Sequence, residues 1–161
     1  MNMKKYLTLF LLAIFPLLAN VDCGQTAAAQ TKQKPADNWV KIRDDEMATI
    51  YYKSNIVNTQ RGHHIVYVKA IFKTSDWQNY FAGLLGIRTP VYTTTTKAEY
   101  DEYYSYVMVR QVTCYNRAGK QLYKSADDTS AGWGPVNASD PVGIVGEYLG
   151  DKLRYDETYG Y

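Results

Sequence analysis

Apolar and polar residues alternate most regularly from His64 to Lys73 (HIVYVKAIFK). His64, Val66, Val68, Ala70 and Phe72 fall on one face of a strand. Ile65, Tyr67, Lys69, Ile71 and Lys73 fall on the other. The even face is mostly apolar and is the expected core face. The odd face is mixed, as in an antiparallel sheet that shows one side to water. Trp39–Ile42 and Met47–Lys53 predict two further strands around an exposed corner at Asp44-Asp45-Glu46. Ser54-Asn55 is a break.

The period then changes. Trp77, Tyr80, Phe81, Leu84 and Leu85 recur at helical spacing. Ser75 is placed to cap this short helix, and Gly86 to lie just past its end. The helix interrupts the strand series, and Arg88-Thr89-Pro90 ends it. The β-branched run Thr93–Thr96 reads as exposed extended chain. Tyr103–Tyr115 predicts a long strand and Lys120–Lys124 its partner. Asn116-Arg117-Ala118-Gly119 joins them as a hairpin loop, with Gly119 at a left-handed position. Residues 125–138 read as irregular. Asp140 and Pro141 open a second helix, as cap and first residue. Val142, Val145 and Leu149 are its stripe. Gly143 and Gly146 weaken it by up to ~1 kcal/mol each, so it needs packing to hold. Gly150 is its expected end, and residues 154–161 (RYDETYGY) read as a frayed polar tail.

Ahead of these elements stands a different kind of segment. Lys4 and Lys5 precede an apolar run from Tyr6 to Leu18. That run is shorter than the ~20 residues of a membrane span and suits a secretory signal. Cleavage is expected after Ala29, with Ala19 as the other site. Residues 1–29 are then a signal peptide, 30–37 a flexible leader and 38–153 the folded domain. Cys23 raises a competing lipid-anchor reading, but Asp22 stands where a lipoprotein signal has a small residue. The expected location is the periplasm or the outer-membrane surface. No later segment reads as a transmembrane helix.

The chain has 161 residues and a formal charge of +2. Removing residues 1–29 takes away Lys4, Lys5 and Asp22 and leaves the domain near neutral. Nucleic-acid binding, which calls for a strongly basic face, is not expected. Sixteen tyrosines suit both strands and contact surfaces. One cysteine, Cys114, remains after cleavage, so no disulfide is expected within the domain.

Catalytic chemistry finds little support. Cys114 lies within a strand, with no local reason for a lowered pKa. The only histidines, His63 and His64, are adjacent and point to opposite faces, so they do not readily share a metal ion. Asp44-Asp45 and Asp127-Asp128 lack the alternation of a calcium loop and read as solvated turns. There is no phosphate loop, dinucleotide fingerprint or Gly-x-Ser-x-Gly elbow. No cofactor and no metal site is expected. The weak candidates for contact are Trp77, Tyr80, Phe81 and Leu84. They either pack on the sheet or form an apolar patch for a partner or dimer mate.

The order of landmarks adds a resemblance. Asn38-Trp39-Val40-Lys41-Ile42 opens the domain. Ile50-Tyr51-Tyr52, Ser54-Asn55-Ile56 and Ile65-Val66-Tyr67-Val68-Lys69 follow. Then come Cys114-Tyr115-Asn116-Arg117-Ala118-Gly119-Lys120, Trp133 ahead of Pro135, and the Ser139 helix start. This order, over residues 39–153, resembles the surface-adhesin protein E-like family of bacterial exported proteins. The resemblance implies an α+β fold, a bent antiparallel β-sheet with a C-terminal helix packed against it; the Trp77 helix is a short insertion. It implies a non-catalytic binding domain of the cell envelope. Its partner would be an extracellular or envelope protein, such as a host matrix protein, and homodimers are known in the family. The alternative is a structural or accessory protein that packs on another bacterial component. Many members carry a cysteine pair; here those neighbourhoods read Tyr103-Tyr104-Ser105 and Asp151-Lys152-Leu153. No ligand-contact residue carries over.

Overall fold

A computed structural model describes residues 38–159. The signal peptide, both cleavage sites, Cys23 and the leader 30–37 lie outside the described residues, as do residues 160–161.

The described residues fold into an antiparallel sheet with two helices. The strands are β1 (Trp39–Asp44), β2 (Ala48–Lys53), β3 (Val57–Asn58), β4 (His64–Phe72), β5 (Thr93–Tyr100), β6 (Tyr106–Tyr115), β7 (Gln121–Lys124) and β8 (Gly134–Pro135). Helix α1 (Ser75–Leu84) follows β4, and α2 (Pro141–Tyr159) closes the chain. The sheet order is β1-β2-β4-β5-β6-β7, with β3 beside β4 and β8 beside β6. Register shifts in β1 at Lys41/Arg43, opposite Lys97/Ala98 in β6, and at Cys114/Tyr115 mark bulges, which bend and twist a sheet.

The even face of β4 is the core face, as its alternation predicts. Val66, Val68, Ala70 and Phe72 are buried. They pair with Ala98, Thr96, Thr94 and, through β2, Tyr52 and Ile50. Both helices pack on this face. Val142, Val145 and Leu149 of α2 join the core with Tyr100 and Tyr52, and Phe81 of α1 stacks on Phe72 with centroids 4.6 Å apart.

The local chemistry explains the ends of the elements. Asp140 Oδ1 accepts the Val142 and Gly143 amides at 2.9 and 2.8 Å, and Pro141 is the first residue of α2. Gly119 has φ +77°, and the Asn116 side chain accepts the Lys120 amide in the same turn. Gly86, at φ +63°, ends α1; the Gly86 and Ile87 amides donate back to the Gly83 and Ala82 carbonyls.

Four expectations are corrected. Thr93–Thr96 is not exposed: it begins β5, an interior strand, where Thr94 and Thr96 are buried between β4 and β6. The long strand starts at Tyr106 rather than Tyr103, because Asp101 Oδ1 accepts the Ser105 and Tyr106 amides and closes a turn with Tyr104 at φ +56°. The cap position of α1 is Thr74, not Ser75, and its side chain makes no capping bond. Gly150 does not end α2. The helix runs on to Tyr159 through most of the expected tail, with an Asp151–Arg154 ion pair and a Tyr155–Tyr159 ring contact on its surface.

Candidate functional site

With α1 and α2 on one face, the opposite face of the central strands has no helical cover among the described residues. Directly paired residues share a face, so the register fixes what this surface displays. Trp39 pairs with Lys53 across β1 and β2, and Tyr67 pairs with Lys97 across β4 and β5. One step along, Lys41 pairs with Tyr51, Tyr51 with Lys69, and Lys69 with Thr95. Lysine and aromatic side chains therefore alternate both along and across the strands.

The rings hold the ammoniums. Lys69 Nζ lies 4.4 Å from the centroid of Trp39 and 4.8 Å from that of Tyr51. Lys53 Nζ lies 5.3 Å from Trp39 and 5.6 Å from Tyr67. Two cations thus share one indole. Each contact stabilises by about 0.5–1 kcal/mol where water has access. The rings also cover the aliphatic stems, which limits the number of places each charge can go. All five side chains are half-buried.

The other end of the face is electrically closed. Arg110 occupies the bulge of β6; its Nη1 donates to Glu99 at 3.2 Å and its Nε to Asp127 at 2.9 Å. Lys97 Nζ donates to the same Asp127 carboxylate at 2.5 Å. The Lys97 bond, followed by that of Arg110, holds the Asp127 carboxyl below its ordinary value. His63 Nδ1 is hydrogen-bonded to Glu99 at 2.9 Å, and the His63 and Trp133 rings meet in a T-shaped contact with centroids 4.9 Å apart. Two cations here meet two carboxylates. At the β1 end Lys41 is paired with Asp44, and among the described residues no carboxylate forms a salt bridge with Lys53.

The four contact candidates of the sequence lie on the core side. Trp77 and Phe81 stack on Phe72 and on each other. Leu84 and Phe81 line a cavity of about 30 Å³ with Thr94, Thr96, Val112 and Val142. Tyr80 alone points outward, at 45 % exposure.

Cys114 is fully buried on the core face, and burial pushes its thiol up to about 11. It pairs with Thr94, whereas His64 pairs with Tyr100, six positions away along β5. That is about 20 Å at the rise of a strand. His64 is bonded to Asn58 and stacked on Tyr104. Thiol and imidazole therefore do not form a nucleophile–base pair. Among the described residues no three His, Cys, Asp or Glu side chains gather as metal ligands, and no helix is long and apolar enough to cross a membrane.

Comparison of the chain with protein-family models, with curated proteins and with solved structures finds no match.

Proposed function

We propose that this protein is an exported, non-catalytic binding domain of the bacterial cell envelope, working by surface contact as the adhesins it resembles do. One observation carries the reading: the lysine–aromatic face of β1, β2 and β4, uncovered by either helix. A sheet face that serves only as a solvated exterior has no need of three half-buried rings gathered around two cations. Aromatic residues give large contact area at low entropic cost, and fixed charges give orientation. The inert position of Cys114 and the separate engagement of His63 and His64 fit a protein whose work is contact. The expected export segment places that contact at the envelope.

The test uses the protein as processed by the cell that expresses it. Its binding to immobilised matrix proteins and to isolated envelope fractions is measured by surface plasmon resonance. Saturable binding to at least one of them, weakened by Lys53→Glu with Lys69→Glu, is expected. Absence of saturable binding to every surface counts against the reading. Binding that survives this pair of substitutions moves the contact elsewhere, and Tyr80 on α1 is then the next surface to vary.

A further inference from the structure

A cleft of about 580 Å³ opens where β4 gives way to α1, between the approach to β5 and the turn of the β6–β7 hairpin. We propose that this cleft binds a small hydroxylated carboxylate, a sugar acid in its compact form. It shares no residue with the lysine–aromatic face, so it is a second site and goes beyond the contact reading.

The fold ties the walls of the cleft together. The Val91 amide donates to the Gln78 carbonyl at 3.1 Å, the Tyr92 amide to the Tyr115 carbonyl at 2.9 Å, and the Phe72 amide to the Tyr92 carbonyl at 2.9 Å. These bonds join α1, the approach to β5 and the ends of β4 and β6. The volume falls in the range of small-molecule sites, roughly 300–1,000 Å³.

Lys73, Gln78, Pro90, Tyr92, Asn116 and Arg117 line the cleft, and among the described residues no Asp or Glu side chain does. The two cations differ. Lys73 Nζ is held by Asp44 Oδ1 at 2.5 Å and the Asp45 carbonyl at 2.6 Å, which balances its charge. Arg117, exposed at the hairpin turn, forms no salt bridge among the described residues, and its Cζ lies 5.9 Å from the centroid of the Tyr92 ring. Its planar fork matches a carboxylate bidentately. The two side-chain amides are fixed in opposite senses. Gln78 Nε2 donates to the Phe72 carbonyl at 2.9 Å, which leaves Oε1 to accept. Asn116 Oδ1 accepts the Lys120 amide at 2.9 Å, which leaves Nδ2 to donate.

A ligand that fits carries an anion for Arg117, a hydroxyl hydrogen for Gln78, an acceptor for Asn116 and an apolar patch for Tyr92 and Pro90. A sugar acid has all four, since its hydroxyls both donate and accept and its C–H face packs on a ring. An amino acid would bring an ammonium that no carboxylate of the cleft meets. Benzoate has no donor for Gln78. Inorganic phosphate would leave most of the cleft to water.

The test titrates the full protein, as processed by the expressing cell and labelled with nitrogen-15, at about 50 mM salt, where screening is modest. Amide signals are followed by nuclear magnetic resonance. The probes are glucuronate, galacturonate, methyl glucuronide, galactose, glutamate, benzoate and phosphate. We expect at least one of the three sugar acids to bind saturably, shifting the signals of Tyr92 and residues 116–119, and more tightly than the other four probes. Methyl glucuronide stands for the terminal unit of a glycan and glucuronate for the free acid; the tighter of the two names the source. Arg117→Gln should weaken binding about tenfold, as loss of one charge-assisted contact would. Arg117→Lys, which keeps the charge and loses the fork, should recover only part of it. K152Q, on the exposed side of α2, should bind like the parent. Melting temperature verifies that each variant folds. The inference is overturned if no sugar acid shifts these signals at about 10 mM, if R117Q binds like the parent, if the shifts saturate on β2 and β4 instead, or if galactose, glutamate, benzoate or phosphate binds more tightly than every sugar acid.

Discussion

Glycine-to-alanine substitution gains about 1 kcal/mol in an open helix. In this protein the sign should depend on which glycine is changed. A Cβ on Gly83, in α1, meets nothing within 4 Å. Gly83→Ala should stabilise by about 0.5–1 kcal/mol. A Cβ on Gly146 would stand 2.8 Å from Tyr100 Cε1 and 2.9 Å from Val136 Cγ1. Tyr100 has little freedom to retreat, being fully buried with its hydroxyl donating to the Val142 carbonyl at 2.7 Å. Overpacking costs about 1–3 kcal/mol and outweighs the propensity gain, leaving a net loss of about 1 kcal/mol. A Cβ on Gly143 would lie 1.6 Å from the backbone oxygen of Asn137. The 137–140 segment would have to move by about 2 Å to restore ordinary contact, disturbing the Asp140 cap. Gly143→Ala should cost about 4 kcal/mol or prevent folding. Urea titration followed by circular dichroism measures all three. For a domain of this size about 4 °C of melting temperature accompanies each kcal/mol. A Gly146→Ala protein as stable as the parent would refute the close approach of α2 to Tyr100, and an equally stable Gly143→Ala protein its close approach to Asn137.

Tyr100→Phe removes the buried donor to Val142 and should lower urea stability by about 1–2 kcal/mol. Arg110 is 13 % exposed and Glu99 12 %, so Arg110→Met leaves a mostly buried carboxylate with His63 as its remaining partner, at a cost of about 2–3 kcal/mol; a cycle with Glu99→Gln should show the double variant losing much less than the two single losses together. The Cys114 thiol, raised to about 11 by burial, should resist iodoacetamide at pH 8 in the folded protein and react once urea unfolds it, as mass spectrometry would show. The folded state also holds that proton more tightly than the unfolded one, so this contribution to stability is whole below about pH 8.5 and is lost as pH rises through about 11; Cys114→Ala should lack that alkaline decline. The depressed Asp127 carboxyl works in the opposite direction: its contribution is present above about pH 4 and is lost as pH falls through the lower folded value. Asp127→Asn should therefore flatten the acid limb of a stability–pH profile.

What was legible in the chain was what neighbours in sequence decide. The even face of β4, the Asn116–Gly119 turn, the Gly86 stop and the Asp140–Pro141 start each follow from residues within a few positions of one another. What was hidden depends on distant neighbours. Thr93–Thr96 looks like exposed chain because its hydroxyls are polar, yet its place between β4 and β6 buries alternate side chains. The run beyond Gly150 looks frayed because it lacks an apolar stripe, yet it continues a helix already anchored by Val145 and Leu149. Gly143 and Gly146 look like weak points of α2, when the missing side chains are what allow it to approach Asn137 and Tyr100. The lysine–aromatic face had one trace, the mixed odd positions of β4. Seeing Lys69 beside Trp39 required the register of three strands. The Trp77 helix showed its apolar stripe plainly but not the partner of that stripe, which proved to be mainly Phe72.

The placement of both helices on one side of the sheet has a consequence for inheritance. Successive residues of β2 and β4 answer to different demands: one is held by the interior, the next by whatever the outside world offers. Substitution at every second position can retune the exterior without disturbing the interior. A lineage built on this plan can vary its outer surface while keeping its shape, and its members would come to share a rhythm of residues more than the residues themselves.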